Sequence, residues 1–228
     1  MKKDKLIVKI DIDGVIRDIN STMVELYNKT FGTHLTLEDT IYYDVDKTYP
    51  MCATLYPNET HPAVKFFFKE HAEDIFLNSK AYKDARYAIT KLQLFGYKIV
   101  IVSWQMSLVN KIYTLKFLED NGINYDDICY TKDKWMIKGD WLIDDNPEFI
   151  FDERDMSKMI MVTQPYNRNA LSDYIKTTTF NTKYVVAVKD IGWAAEYIIN
   201  ADFGISYEKE QNFLSEKETE TEINRLSE

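Results

Sequence analysis

The sequence has little of several features that mark specialised classes of protein. Two cysteines, Cys52 and Cys129, are too few for a disulfide framework and lack paired metal-ligand spacing, so we expect reduced thiols. Basic residues are outnumbered by acidic ones, 28 to 37, and the net charge of −9 disfavours stable binding to nucleic acid or to an anionic membrane. No apolar run approaches the ~18 residues that span a bilayer, and no signal sequence follows Met1. We therefore expect a cytoplasmic protein that acts on a small molecule.

Apolar runs rich in β-branched residues alternate with helical patterns along most of the chain. This alternation predicts an α/β fold in which helices cover both faces of a parallel sheet. The predicted strands are residues 6–10, 98–102, 127–130, 141–143 and 158–162. Residues 84–95 are predicted to form a crossover helix that ends at Gly96. A second crossover helix should begin at Ser107 and end at Gly122. Its predicted apolar stripe consists of Leu108, Ile112, Leu115 and Leu118.

The connection between the first two strands is too long for a simple strand–helix–strand unit. Residues 16–96 number 81, whereas such a unit takes ~30 in all. We predict that residues 19–79 form a small helical cap, with helices near 21–31 and 60–76, inserted into a core domain of residues 1–18 and 80–206. Residues 207–228 hold seven Glu and are predicted to form an acidic C-terminal helix or tail.

Four carboxylates follow two of the predicted strands. Asp11 and Asp13 follow the first strand on one face, and Gly14 allows a sharp turn after them. Asp144 and Asp145 end the strand that begins at residue 141. The carboxyl ends of parallel strands share the edge at which open α/β folds bind ligands. Like charges gathered there need a cation, and oxygen ligands without nearby His or Cys favour Mg²⁺ over Zn²⁺.

Two further groups complete a set that is suited to phosphoryl transfer. Ser103 directly follows the second strand, and Lys134 lies in the short connection before residue 141. A metal ion, a lysine and a hydroxyl group neutralise and orient phosphoryl oxygens in such reactions. Each residue also has an ordinary interpretation, Ser103 as a helix cap and Lys134 as a solvated surface lysine.

These motifs resemble those of the haloacid dehalogenase-like (HAD) phosphatases, in the same order along the chain. They are DIDGV at Asp11, Ser103, Lys134, and the pair Asp144 and Asp145. More narrowly, TKDKWMIKGDWLIDDNP is similar to the TRDK…GDLLIDD signature of the cytosolic 5′(3′)-deoxyribonucleotidases, and VTQPYNR resembles a PYN segment of that family. The resemblance implies a Rossmann-like HAD core with a parallel sheet flanked by helices, and a small helical cap inserted after the first strand.

The resemblance also implies a mechanism. Asp11 would attack phosphorus and form an aspartyl-phosphate, and Asp13 would protonate the leaving oxygen before acting as a base toward water. Asp11, the backbone carbonyl of Asp13 and one of Asp144 and Asp145 would bind Mg²⁺. The choice between the last two stays open.

Further residues are implied in binding substrate. Ser103 would hold the phosphate, and Lys134 would stabilise both the phosphoryl charge and Asp11. Lys132 stands where the family often has Arg. Trp104 stands where the family usually has a small residue, and could stack on a base or ribose or only narrow the entrance.

The cap contains Phe66-Phe67-Phe68, which resembles the family's aromatic cap segment, whose rings sandwich the base. Phe66 and Phe67 are therefore candidate substrate contacts. Three consecutive helical residues cannot point the same way, so packing in the cap core stays the alternative for these rings.

The function expected from these features is a Mg²⁺-dependent phosphomonoesterase that hydrolyses (deoxy)nucleoside monophosphates, as a monomer or a homodimer. Two alternatives stay open. A nucleic-acid 3′-end phosphatase uses the same motifs, but it needs a basic track that the acidic composition disfavours. A non-catalytic HAD-like binding protein would keep the fold without the reaction.

Overall fold

The computed structural model describes residues 5–177 and 183–204, and a six-stranded parallel sheet forms its centre. The strands are β1 (Ile7–Ile10), β2 (Lys98–Ser103), β3 (Asp127–Tyr130), β4 (Trp141–Asp144), β5 (Lys158–Val162) and β6 (Val185–Val188). The predicted α/β fold is confirmed, and β1 to β5 match the predicted strands. β6 has no counterpart among them. The predicted acidic segment 207–228 lies outside the described residues.

The order of the strands places β1 in the middle of the sheet. That order is β3-β2-β1-β4-β5-β6, and every neighbouring pair is parallel. Ile10 of β1 is in register with Ile101 of β2 and Ile143 of β4. From β1 the chain builds outward first on one side and then on the other, so a crevice opens at the carboxyl ends of β1 and β4. This crevice is where Asp11 and Asp145 leave their strands.

Helices flank the sheet and fill the long connection after β1. They are α1 (Ile19–Phe31), α2 (Val45–Thr48), α3 (Cys52–Leu55), α4 (Pro62–Lys65), α5 (Ala72–Phe76), α6 (Ala85–Leu94), α7 (Leu108–Asp120), α8 (Ala170–Thr177) and α9 (Ile191–Phe203). Short 3₁₀ helices occur at Leu37–Asp39, Lys134–Met136, Pro147–Ile150 and Pro165–Asn167. α6 and α7 confirm the two predicted crossover helices, and α6 packs against α9. In the described part of the chain, no helix has the length and apolar character that crossing a membrane requires.

Helices α1 to α5, between β1 and α6, share a hydrophobic cluster separate from the one around the sheet. Its fully or nearly fully buried members include Met23, Tyr27, Tyr49, Phe66, Phe67 and Ile75. The prediction of a single helix near residues 60–76 is wrong, because Phe66–Glu70 forms a π-helical segment between α4 and α5. His71 then leaves helical geometry, with φ −113° and ψ 30°, before α5 begins.

α7 begins where the sequence predicts but buries a different face. The hydroxyl of Ser107 caps it by accepting a hydrogen bond from the N–H of Asn110. Of the predicted stripe only Leu118 is buried, whereas Leu108, Ile112 and Leu115 are 73%, 53% and 41% exposed. The buried face is Asn110, Thr114, Phe117 and Leu118. Two of these residues are polar because they meet polar partners: Asn110 donates to the carbonyl of Phe68, and Thr114 accepts from Arg17.

Candidate active site

A cavity of about 820 Å³ opens at the carboxyl edge of the sheet. This volume lies within the range of ~300–1,000 Å³ that is typical of small-molecule pockets. The sheet side contributes Asp11, Asp13, Ser103, Lys134, Asp144 and Asp145, which are all the predicted catalytic and metal-binding residues. The segment between β1 and β2 contributes residues that include Asn20, Thr40, Tyr43, Phe68 and Phe76.

Asp11, Asp144 and Asp145 form a buried acidic cluster at this edge. Each offers a carboxylate oxygen within 4.8 Å of those of the other two. Strand pairing brings them together, because the N–H of Asp11 still donates to the carbonyl of Ile143 (2.9 Å) and Asp144 ends β4. Lys134 lies between two of them, with Nζ 2.9 Å from Oδ1 of Asp11 and 2.6 Å from Oδ2 of Asp144.

One ammonium group does not balance these three carboxylates. Burial raises the pKa of Asp144 to about 6, although Lys134 opposes the shift. Burial, reinforced by the charges of Asp144 and Asp11, raises the pKa of Asp145 well above its usual value. Burial lowers the pKa of Lys134, but Asp11 and Asp144 outweigh it and raise this pKa above its ordinary value. Lys134 therefore stays charged, and a second cation is needed to keep Asp144 and Asp145 ionised together with Asp11.

The cluster fits a hard divalent cation. Oδ1 of Asp11 is buried and accepts no well-formed hydrogen bond from the described residues, although it lies at ion-pair distance from Lys134. A buried carboxylate oxygen with spare capacity is suited to metal coordination, because an unmet acceptor is otherwise costly. The three candidate ligands all offer oxygen, which suits Mg²⁺ better than Zn²⁺.

The side chain of Asp13 does not join the acidic cluster. Nε of Arg17 donates to its Oδ1 (2.7 Å), and Nε2 of Gln105 donates to its Oδ2 (3.0 Å). Burial raises the pKa of Asp13, and the Arg17 guanidinium opposes that shift. Neither Arg17 nor Gln105 is among the residues predicted from the sequence. Arg17 carries a signal, since a charged residue within the apolar stretch VIRDI must find a partner, but Gln105 carries none.

Asp145 is supported by the Pro165–Asn167 turn, which belongs to the VTQPYNR stretch. The hydroxyl of Tyr166 donates to Oδ2 of Asp145, and Nδ2 of Asn167 donates to the Asp145 carbonyl (2.7 Å). The backbone of Gly14, with a positive φ of 77°, lies against the same carboxylate. The PYN segment thus holds one edge of the acidic cluster in place.

Trp104 and Lys132 both line the cavity, and Lys132 lies over the indole ring of Trp104, with Nζ 4.0 Å from the ring centroid. Phe66 and Phe67 do not line it. Both are buried in the hydrophobic cluster between β1 and β2, where the centroids of their rings lie 4.9 Å apart. This packing corrects their assignment as substrate contacts. Phe68 is the member of the run that reaches the cavity.

Comparison with known proteins gives a match to one family and to one curated relative. The family model described as "5′ nucleotidase, deoxy (Pyrimidine), cytosolic type C protein" matches residues 5–189. A protein of Chlorobaculum tepidum named "Putative 5′(3′)-deoxyribonucleotidase" is 23% identical over 153 residues, which cover 65% of this chain and 73% of the relative. The family match spans the strands and every site residue described above.

Solved structures with a similar fold include a haloacid dehalogenase and a predicted phosphatase. The L-2-haloacid dehalogenase of Xanthobacter autotrophicus has a TM-score of 0.55 and 11% identity, with 86% of this chain and 98% of that chain covered. A "predicted phosphatase from Clostridium acetobutylicum" has a TM-score of 0.53 and 13% identity, with 86% and 100% covered. At such low identity these structures confirm the HAD-like fold alone.

Proposed function

The chain belongs to the cytosolic type C 5′-nucleotidase family, deoxy (pyrimidine), and we propose that it is a Mg²⁺-dependent enzyme that hydrolyses (deoxy)nucleoside monophosphates through an aspartyl-phosphate. As a family member it is a hydrolase of phosphoric monoesters that acts on nucleotides. The observation that carries the finer proposal is the buried cluster of Asp11, Asp144 and Asp145 with Lys134 between two of them. A cytoplasmic location, with Cys52 and Cys129 as free thiols, is part of the proposal.

Asp11 is the nucleophile in the proposed reaction. Its carboxylate attacks phosphorus, the bond to the nucleoside oxygen breaks, and an aspartyl-phosphate forms. Asp13 donates a proton to the departing oxygen and then takes a proton from the water that attacks the intermediate. This second step releases phosphate and restores the carboxylate of Asp11.

The neighbouring groups orient the phosphoryl oxygens and offset their charge. Lys134 places its ammonium group beside Asp11, where it can contact a phosphate oxygen as well. Ser103 ends β2 at the cavity and offers a hydroxyl donor. Mg²⁺ held by Asp11 and by Asp144 or Asp145 would supply further neutralisation of the phosphoryl charge. We assign the nucleoside end to the part of the cavity lined by Trp104.

Phosphate release from a panel of ribo- and deoxynucleoside monophosphates tests the proposal. We expect release from dUMP or dTMP in the presence of Mg²⁺, no release with a chelator, and none from Asp11→Asn. Asp120→Asn is the matched control, because Asp120 is exposed on α7 and pairs with Lys116. Activity on a 3′-phosphorylated oligonucleotide but on no mononucleotide would overturn the substrate class. Full activity in Asp11→Asn would overturn the nucleophile.

Cation binding has a test that does not depend on activity. Mg²⁺ should raise the melting temperature of the wild type, since a ligand that binds only the folded state stabilises it by mass action. Asp11→Asn/Asp145→Asn removes two of the three carboxylates, and its melting temperature should respond weakly. An equal response in the two proteins would mean that the cation binds elsewhere.

A further inference from the structure

The carboxyl group of Asp13 is held at both of its oxygens. Nε and Nη2 of Arg17 lie 2.7 and 2.6 Å from Oδ1. Nε2 of Gln105 donates to Oδ2 over 3.0 Å. A carboxylate in the turn after a strand is free to rotate about its side-chain bonds, so contacts on both oxygens fix a direction that the backbone alone does not. Asp13 still lines the cavity, and its side chain is 24% exposed.

Arg17 is a rigid anchor for one side of this arrangement. Its side chain is fully buried, and its guanidinium carbon lies 5.1 Å from the ring centroid of Phe76 and 4.9 Å from that of Phe117. Nη1 donates to the carbonyl of Phe76 and to Oγ1 of Thr114. Because α5 and α7 hold the guanidinium on several sides, Arg17 cannot move without disturbing both helices.

Gln105 contacts the other oxygen of the Asp13 carboxyl group, Oδ2, at a cost to stability. The side chain is 5% exposed, and Nε2 also lies 3.5 Å from Oγ of Ser103. Its amide oxygen, Oε1, is buried and accepts no hydrogen bond from the described residues. An unmet buried acceptor opposes folding, so an apolar side chain of the same length would suit this position better. The contact of Nε2 with Asp13 is the interaction that favours a glutamine over an apolar side chain at this position.

We propose that Gln105 is a positioning residue which, together with Arg17, fixes the Asp13 carboxyl group in the orientation that delivers a proton to the leaving ester oxygen. This inference rests on the proposed function, in which Asp13 is the acid for that step. Proton donation demands hydrogen-bond reach between acid and leaving oxygen, and small misplacements of catalytic groups slow reactions strongly. Gln105 would therefore act on the bond-breaking step through Asp13, without contributing a proton itself.

The test compares two leaving groups in Gln105→Met. A nucleoside leaves as a poor alkoxide and needs the proton, whereas nitrophenolate departs without one. We expect kcat/KM for dUMP to fall roughly ten- to hundredfold and kcat/KM for p-nitrophenyl phosphate to fall less than about threefold. The melting temperature should change little, because the loss of the Nε2 contact with Asp13 and the removal of the unmet amide oxygen oppose each other. Gln105→Leu repeats the comparison with a second apolar side chain.

Two controls separate this role from a general defect. Gln93→Met changes a glutamine of α6 whose amide contacts the carbonyl of Asn124, away from the cavity, and should leave the ratio of the two substrates unchanged. In an Asp13→Asn background, Gln105→Met should cause no further loss with dUMP, since the residue through which it acts is already disabled.

Equal losses on the two substrates, or losses that add to those of Asp13→Asn, would overturn the positioning role. These outcomes differ from a failure of the proposed function, which would appear as wild-type protein that releases phosphate from no nucleotide. In that case an alkyl phosphate that the wild type does hydrolyse takes the place of dUMP. The leaving-group comparison then decides the role of Gln105 independently.

Discussion

Gly14 lies so close to Asp145 that a Cβ atom on Gly14 would come within 2.0 Å of Oδ2 of that carboxylate. Asp145 cannot withdraw easily, because Tyr166 bonds to the same oxygen and Asn167 to its carbonyl group. Gly14 also has a positive φ of 77°, which L side chains disfavour. The turn after β1 and the position of Asp145 in the acidic cluster therefore both require a residue without a side chain at position 14.

Gly14→Ala should lower both stability and activity, and Gly32→Ala provides the matched control. Both glycines have positive φ, but a Cβ on Gly32 would meet no atom within 4 Å. Each variant should lose roughly 1–2 kcal/mol for the left-handed backbone. Gly14→Ala should lose a further ~1–3 kcal/mol from the clash, and roughly a hundredfold in kcat/KM as Asp145 is displaced. Urea unfolding and phosphate release measure the two effects, and equal behaviour of the variants would contradict the clash.

Lys134→Met should be strongly destabilising in the absence of divalent cations. The variant leaves Asp11 and Asp144 without the ammonium group that lies 2.9 and 2.6 Å from them. Removing one partner of a buried ion pair costs about 3–5 kcal/mol, and the loss of the charge beside the phosphoryl group should lower kcat by at least roughly a hundredfold. Lys116→Met is the control, since the Lys116–Asp120 pair is exposed and worth at most ~1 kcal/mol. Similar urea midpoints for the two variants would be inconsistent with this account.

The sequence predicts the site best where a residue is tied to the end of a strand. Asp11, Ser103 and Asp144 occupy positions set by strand pairing, so an apolar run followed by a polar residue is enough to locate them. Arg17 and Gln105 reach Asp13 from other directions, and their partners are decided by side-chain conformation rather than by strand position. Such contacts leave little trace in a single sequence.

The errors in the prediction have a similar cause. On α7 the spacing of Leu108, Ile112 and Leu115 is as regular as that of a buried face, yet the helix turns Asn110 and Thr114 inward. The polar partners that demand this rotation lie far away in the chain. Periodicity thus indicates that a helix forms more reliably than it indicates which face is buried.

Lys9 should make stability depend on pH in the alkaline range. Its ammonium group is buried and donates to Oδ2 of Asp155 (2.7 Å) and to the carbonyl of Lys134 (3.1 Å). Burial lowers the pKa of Lys9 below its ordinary 10.5, although Asp155 opposes the shift. Between the lowered pKa and 10.5 the unfolded chain binds more protons than the folded protein, so this contribution to stability grows as pH rises and falls as pH drops.

The comparison is between the wild type and Lys9→Met/Asp155→Asn, because a difference cancels the titration of other groups. The free energy of unfolding of the wild type, minus that of the double variant, should increase between pH 7 and pH 10. The single variant Lys9→Met should lose about 3–5 kcal/mol at pH 7, since it leaves the Asp155 carboxylate buried and unpaired, and the added Asp155→Asn should restore much of that loss. If this difference in unfolding free energy does not change with pH, Lys9 has the same pKa in the folded and unfolded states.

We predict that the run Phe66-Phe67-Phe68 divides between stability and substrate binding. Phe66 is 1% exposed and packs against Phe31 and Phe67, whereas Phe68 reaches the cavity. Phe66→Ala should therefore lower the free energy of unfolding by ~3–5 kcal/mol, while KM of the folded protein stays near the wild-type value.

Phe68→Ala should show the opposite pattern, with a smaller loss of stability and a larger effect on substrate binding. The KM for dUMP should rise at least about fivefold, because stacking of a base on an aromatic ring is worth ~1–3 kcal/mol. A ribose phosphate without a base supplies the control, since its KM should not respond to Phe68→Ala. An equal rise in KM for ribose phosphate would assign Phe68 to the shape of the cavity rather than to the base. The two variants thus separate packing in the hydrophobic cluster from contact with the substrate, which the sequence of an aromatic run cannot distinguish.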